Sequence, residues 1–282
     1  ISLRGASIQE LAEERVYTNI ILVLGLAILL IAGNWFVYRN TKKEIELARI
    51  KSDFVSNVSH ELRTPLSLIN MFAETLELDR VKSDEKKKEY YSIISNEANR
   101  LSRIVNKILN FSRMEAGKKT YNFTIAKLNE IVESTFNTYK FHLQNNGFTF
   151  KLIQSENLPE IYADNEAVSE ALINLIDNAV KYSNEQKEII ITTGFDTEKV
   201  FIEVQDKGIG ISQDDQKRIF EKFFRATTGS VHNTKGTGLG LTIVKHIMDA
   251  HKGEIKLKSN IEKGSAFRLE FKINSKQEMG HV

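Results

Sequence analysis

"FVSNVSHELRTPL", residues 54–66, places a histidine, a carboxylate and a proline inside a stretch that otherwise favours helix. His60 is followed at once by Glu61, and Pro65 comes five residues after the histidine. Proline lacks an N–H and crowds the carbonyl one turn back, that of Glu61, so the helix is expected to bend there. Around this stretch Ala48, Val55, Leu62, Ile69 and Leu76 recur every seven residues, with Val58 and Phe72 three positions further on. Such a heptad seam buries one stripe of a helix against a partner. His60 falls five positions after Val55, off the seam, and is expected on the outer face. Thr64, one turn on, shares that face. Glu61 points elsewhere and is placed to reach something bound beside the ring.

From Asn34 to Thr64 there is neither glycine nor proline, so one helix is expected to run from the upstream apolar stretch to the bend. A polar, charge-rich break follows at "DRVKSDEKKKEY" (79–90), then a second seam at Ile94, Ala98, Leu101, Val105 and Ile108. Two such helices form an antiparallel hairpin that leaves apolar surface uncovered. Pairing two hairpins into a four-helix bundle would bury it, so a homodimer is expected.

Upstream, "NIILVLGLAILLIAGNWFVYR" (19–39) has no charge between Arg15 and Arg39. Residues 20–38 as a helix extend about 29 Å, close to the thickness of a bilayer's hydrocarbon core. Trp35 and Tyr38 suit the interface. A core helix would keep a polar stripe, and a signal peptide would show a cleavage site after a shorter apolar core. Arg39, Lys42, Lys43, Arg49 and Lys51 follow the span, whereas Arg4 and Arg15 precede it among Glu10, Glu13 and Glu14. The excess of cations places everything after residue 39 in the cytoplasm. The chain opens on Ile1 rather than Met, and is expected to be a piece of a longer protein.

The totals exclude several classes. With 39 basic and 37 acidic residues the formal charge is +2, too balanced for a nucleic-acid binder. There is no cysteine, hence no disulfide framework and no thiolate metal site.

After residue 117 the period changes. A helix is predicted from about Asn129 to Leu143, ending near Gly147, and "FTFKLI" reads as a strand. "IYAD" is a short strand leading into Asp164, a good N-cap for the helix "NEAVSEALINLIDNAVKYS". Val168, Leu172, Leu175, Ile176 and Ala179 form its buried stripe. Asn174, Asn178 and Lys181 group on a neighbouring face, with Tyr182 between the two sets. Asparagines one turn apart usually cap or face solvent. Aligned with a lysine, they also suit a metal ion and a phosphate chain.

"EIIITTGF" and "KVFIEVQD" alternate as strands, and the second sets Asp206 at a strand end before Gly208 and Gly210. A carboxylate repels phosphate but accepts a hydrogen bond from an exocyclic amine, as adenine offers. "IFEKFFR" (219–225) reads as the apolar-basic end of a helix. Gly236, Gly238 and Gly240 then give a loop whose backbone N–H groups can approach phosphates, ahead of a helix starting at about Leu241. No Gly-Lys-Ser/Thr closes it, so it is not a Walker A loop, and antiparallel-looking strands do not suit a dinucleotide fold. "GEIKLKSN" and "AFRLEFKI" complete a hairpin with Phe267, Leu269 and Phe271 on one side.

"SHELRTPL" resembles the phosphoacceptor box of sensor histidine kinases. "NLIDNAVKYS", "DKGIG", "FEKFFR" and "GTGLGL" resemble, in order, the asparagine, first glycine, phenylalanine and second glycine boxes of that family's ATP domain. The resemblance covers about residues 45–275. It implies an α plus α/β protein: a transmembrane helix, a helical hairpin dimerising to a four-helix bundle, and a Bergerat-type α/β sandwich with a mobile lid between the glycine boxes. The expected parts are an extracytoplasmic stub (1–18), the transmembrane helix (19–39), the dimerisation and phosphotransfer hairpin (40–117), the ATP-binding domain (118–276) and a tail (277–282).

By position, the resemblance makes Asn178 the Mg²⁺ ligand, with Asn174 supporting it. Lys181 and Tyr182 would contact phosphates or ribose, and Asp206 would read adenine. Gly208 and Gly210 would allow close approach of the backbone, and Gly236, Gly238 and Gly240 would shape the phosphate loop. The implied activity is a protein-histidine kinase with ATP and Mg²⁺: His60 takes the γ-phosphoryl group, helped by Glu61, and passes it to an aspartate on a separate response regulator. Thr64 matches the position used for dephosphorylating that partner. The implied setting is a homodimer spanning the inner (cytoplasmic) membrane once, with its catalytic region in the cytoplasm. Little chain separates Tyr38 from His60, so rotation or piston motion of one helix, pivoting at Pro65, is the expected coupling.

Two other classes share parts of this pattern. One is a GHKL-type conformational ATPase such as gyrase or MutL, which needs no histidine. The other is a membrane-anchored dimeric scaffold with a degenerate ATP domain, against which stand the intact polar residues of every box.

Overall fold

The computed structural model describes residues 8–183, 186–225 and 237–273. The chain divides into two units, one up to Asp53 and one from Phe54 onward. The first helix, α1 (Ile8–Glu77), contributes to both. In the first unit its side chains from Val16 to Tyr38 are exposed. Among the described residues this is the one helix long and apolar enough to cross a membrane, with a mean hydropathy of 2.6 over its best window. The Arg39 guanidinium lies 5.4 Å over the Trp35 ring at the end of this stretch.

In the second unit α1 continues through Pro65 to Glu77, so the expected bend does not end the helix. The Thr64 hydroxyl donates to the His60 carbonyl at 3.2 Å, a local bond that a helical threonine readily makes. Helix α2 (Asp84–Glu115) starts at Ser83, whose hydroxyl accepts from the Lys86 N–H and donates to the Glu85 carboxylate at 2.6 Å. Phe72 and Tyr90 meet edge to face across the hairpin, 4.6 Å between centroids. Leu62, Ile69, Phe72 and Leu76 on α1 are partly buried, as are Ile94, Leu101 and Ile108 on α2, whereas the seam positions Ala48, Val55, Ala98 and Val105 are exposed within this single chain. Val55 and Leu66, which share a face of α1, and Val105 and Leu109, one turn apart on α2, stay exposed as an apolar strip.

The remainder is built on two sheets. A small one pairs β1 (Thr124–Ala126) antiparallel with β3 (Ile161–Ala163). The large one has five strands in the order β2-β4-β5-β7-β6: β2 (Thr149–Gln154), β4 (Glu188–Phe195), β5 (Lys199–Asp206), β7 (Gly264–Lys272) and β6 (Glu254–Asn260). β2 and β4 run parallel and every other pair is antiparallel. Parallel neighbours need a crossover. Here the connecting chain supplies β3 and helix α4 (Asn165–Lys181). Together with α3 (Leu128–Asn145) and α6 (Gly240–Ala250), α4 covers the sheet.

Alternation along the strands decides which face is covered. Ile189 and Ile191, Val200, Ile202 and Val204, and Phe267, Leu269 and Phe271 are buried. They belong to one core with the predicted stripe of α4 and with Ile243 and Ile247 of α6. Each such aliphatic side chain contributes roughly 1.5–3 kcal/mol on burial. At the sheet's outer edge β6 alternates cleanly, exposing Glu254, Lys256, Lys258 and Asn260.

Asp164 fixes where α4 begins. One carboxylate oxygen caps the helix by accepting the Ala167 N–H at 2.9 Å, and the other accepts the Asn122 N–H at 2.8 Å. Its own N–H donates to His251 Nε2 at 3.0 Å, while His251 Nδ1 faces the Ile247 carbonyl at 2.7 Å. The ring is therefore a neutral tautomer protonated at Nδ1. It ties the end of α6 to the start of α4.

The segment 219–225 corrects the sequence reading. It is not a helix end: the short α5 (Gln213–Gln216) gives way to turns, and Phe223 has a positive φ of 65°. Ile219, Phe220, Phe223 and Phe224 pack against the core one by one. Phe223 also meets Phe54 and Phe111 of the hairpin, at 4.3 and 5.4 Å. Beside them Glu115, at the end of α2, holds Lys222 with one oxygen and His246 Nε2 with the other, the latter at 2.7 Å.

Candidate functional site

A cavity of about 680 Å³ opens at the end of β5, between α4, the start of α6 and the flank of α2. Asp206 forms its floor. One of its carboxylate oxygens accepts the Gly208 N–H at 2.8 Å and the Ser265 N–H at 3.2 Å. The other accepts nothing among the described residues. Burial pushes the carboxyl above the usual aspartate range, and those two N–H bonds oppose the shift without cancelling it.

The glycines around Asp206 are sterically required. A Cβ at Gly208 would collide with the Tyr182 carbonyl and the Asp206 carboxylate, and one at Gly264 with the Asp206 carbonyl. Gly210, at φ 70°, lies against the Asn260 carbonyl. These close approaches bring the β6–β7 turn and the end of α4 onto the same carboxylate. The Ile209 N–H to Tyr182 carbonyl bond, at 3.1 Å, locks the arrangement.

On α4 the predicted polar stripe faces the cavity mouth. Asn174 is buried; its amide N–H donates to the Glu170 carbonyl at 2.8 Å, and its oxygen has no hydrogen-bond partner among the described residues. Asn178 lines the cavity and its amide has no partner among the described residues. Lys181 also lines it, with Nζ 4.8 Å over the Tyr182 ring. Gly240, the first residue of α6, lies opposite: a Cβ there would sit 3.3 Å from the Asn174 oxygen and 3.6 Å from the Asn178 amide. Gly238 adopts φ 74°, which favours glycine. Gly236 lies outside the described residues.

The opposite wall comes from the hairpin. Glu61 reaches the cavity, and Arg100 holds its carboxylate at 3.4 Å while also standing 3.6 Å from Glu97. His60 is exposed, its ring has no partner among the described residues, and it does not line the cavity; nor does Thr64. Of the predicted residues, the structure thus brings together Glu61, Asn178, Lys181, Tyr182, Asp206 and the described glycines, with Asn174 behind them. It leaves His60 and Thr64 outside. Arg100, Arg103 and Lys107, which also line the cavity, were missed by sequence reasoning. Their spacing on α2 reads as an ordinary solvated face, and only the packing of the hairpin on the sheet domain distinguishes it.

A carboxylate set for an exocyclic amine, an asparagine-lined helix and glycines at a helix N-terminus define an ATP-binding α/β sandwich, here joined to a hairpin with an exposed histidine. Residues 50–117 match the His Kinase A (phospho-acceptor) domain, and residues 163–275 match the histidine kinase-, DNA gyrase B- and HSP90-like ATPase domain. Sensor protein RprX of Bacteroides fragilis is 34% identical over 253 residues, 88% of this chain and 48% of its own length. A sensor-like histidine kinase, ycf26, of Pyropia yezoensis is 36% identical over 252 residues, 84% of this chain and 38% of its own. The chain therefore spans half or less of these relatives. Among solved structures, histidine kinase ThkA in complex with the response regulator protein TrrA superposes with a TM-score of 0.58 at 28% identity, over 84% of this chain and 66% of that one. The Acinetobacter baumannii histidine kinase AdeS shares the fold, with a TM-score of 0.59 over 77% of this chain and 98% of its own at 24% identity. This chain belongs to the sensor histidine kinases of two-component systems.

Proposed function

We propose that this chain phosphorylates His60 with ATP and passes the phosphoryl group to an aspartate of a separate response regulator. The observation that carries this reading is the cavity itself, where Asp206, Asn178 and Lys181 converge within one unit with the hairpin that bears His60. Adenine fits against Asp206, whose outward oxygen is free to accept its amine. The phosphate tail then lies toward Asn178, Lys181 and the N-terminus of α6.

Asn178 would hold Mg²⁺. Among the described residues no cluster of three acidic or histidine side chains exists to cage a metal by itself. The Asn178 amide oxygen, without a partner among the described residues, suits Mg²⁺ carried on phosphates, since that ion keeps waters and few protein ligands. The ion would neutralise charge on the terminal phosphates when bound.

In its neutral form an imidazole keeps a lone pair on one ring nitrogen, and at His60 this is the atom proposed to attack the γ-phosphorus. The N–P bond forms, the P–O bond to ADP breaks, and the ring gives up its proton, for which Glu61 is the adjacent acceptor. His60 stands outside the cavity, so transfer requires the ATP-binding part to swing toward a His60, its own or that of a second copy. Thr64, bonded to the His60 carbonyl, is the residue proposed to act when the partner is dephosphorylated. The exposed strip on the hairpin supports a homodimer, and the apolar part of α1 supports anchoring in the cytoplasmic membrane.

The test is direct. With γ-labelled ATP and Mg²⁺, the wild type gains an acid-labile, alkali-stable label that His60→Gln lacks. ATP hydrolysis with no such label would point to a conformational ATPase, and a label that survives His60→Gln would defeat the proposal.

A further inference from the structure

Arg103 and Lys107 lie one turn apart on α2 and line the same cavity as Asn178 and Lys181. Neither stands within ion-pair distance of a carboxylate among the described residues. This is unusual for the neighbourhood, because Arg100, one turn earlier, is paired with both Glu61 and Glu97. Lys107 is the more informative of the two. Burial lowers its pKa; Asp177 and Glu170 on the facing helix oppose the shift from a distance, and Lys181 adds to it. The nearby carboxylates therefore leave its charge incompletely compensated, and Glu170 is drawn toward Lys119 at 3.9 Å. A desolvated cation is costly unless an anion is brought to it.

We propose that helix α2 is part of the nucleotide site, and that Lys107 and Arg103 take up the charge of the phosphate tail from the side opposite Asn178 and Lys181. The proposal rests on reading the cavity as an ATP site and adds a second wall to it. The geometry has a chemical logic. The α4 side offers one cation, Lys181, and amides, too little for a triphosphate even with its metal. The two α2 side chains project across the cavity, and their charge is directed at phosphate rather than at adenine, which lies by Asp206. Nucleotide bound this way bridges the hairpin and the sheet domain. A tail shortened by one phosphate, or absent, bridges them less well.

The experiment measures binding of Mg²⁺ with the non-hydrolysable triphosphate AMP-PNP, and of adenosine alone, to the full chain in detergent micelles. In Lys107→Gln, AMP-PNP is expected to bind about tenfold more weakly, the range of a lost charge-assisted bond, with adenosine changed less than about twofold. Arg103→Gln behaves the same way, and Lys107→Arg keeps most of the affinity. Unchanged AMP-PNP binding in both glutamine variants overturns the proposal, as does an equal loss for adenosine, which would mark a structural role. The underlying reading is tested separately: if wild-type protein binds neither ligand, or Asp206→Asn binds both normally, the cavity is not the ATP site and both conclusions fall.

Discussion

Asp206 carries opposing demands. The carboxylate proposed to accept adenine's amine does so best when ionised, yet burial favours its protonated form and pushes its pKa up. The linkage has a definite sign. A group whose folded pKa is raised adds stability at low pH and withdraws it as pH rises through the folded value. At neutral pH the ionised side chain is therefore a cost to the empty fold. Asp206→Asn is expected to raise the melting temperature of the nucleotide-free protein while weakening ATP binding by about tenfold to a hundredfold and eroding preference over GTP. In the wild type, nucleotide affinity should fall on acidification from above the ordinary aspartate range; calorimetric titration at several pH values reads both. The strand end and Gly208 made this residue legible in the sequence. Ser265 was not, because its N–H reaches Asp206 only through the pairing of β5 with β7, some sixty residues downstream.

Elements differ in how well their local sequence predicts them. α4 was readable from its cap, its apolar stripe and its asparagines, because all three are local. The helix expected over 219–225 fails for a non-local reason: its aromatic residues are drawn individually to the core and to Phe54 and Phe111, and that pull outweighs helical propensity. At Pro65 the continuous seam keeps α1 helical on both sides of one missing hydrogen bond. The joint between α6 and α4 gives a prediction of its own. Burial lowers the pKa of His251, against the Ile247 hydrogen bond and the charge of Asp164. A depressed histidine stabilises the fold above its unfolded pKa of about 6.5, and that contribution drains away as pH falls toward the folded value. Unfolding monitored from pH 7.5 to 5.5 should show a falling melting temperature. His251→Ala should flatten the profile and cost about 1–3 kcal/mol, since the Asp164 N–H is left without an acceptor.

For the whole molecule, the hairpin's exposed apolar side chains offer the proposed dimer its surface. Leu66 and Leu109 are each 49% exposed, so a charge at either costs a single chain little and a four-helix bundle a great deal. The double change Leu66→Glu with Leu109→Glu is expected to halve the molecular mass seen by light scattering while leaving nucleotide binding intact. An unchanged mass would show that the copies pair elsewhere. Of the exposed apolar residues on the hairpin, the heptads named Val55 and Val105 but neither Leu66 nor Leu109. The packing of α2 on the cavity was invisible, because nothing local in a row of arginines and lysines says which side will meet another domain.

The outer edge of the large sheet has a different kind of consequence. A free strand edge invites a strand from another molecule, and the proposed pairing of copies would bring such edges close at high local concentration. β6 meets that hazard with Lys256 and Lys258 on its exposed positions, where a second β6 would set like charges side by side. The strand would thus have a quarantine role, keeping the sheets of neighbouring molecules from joining edge to edge.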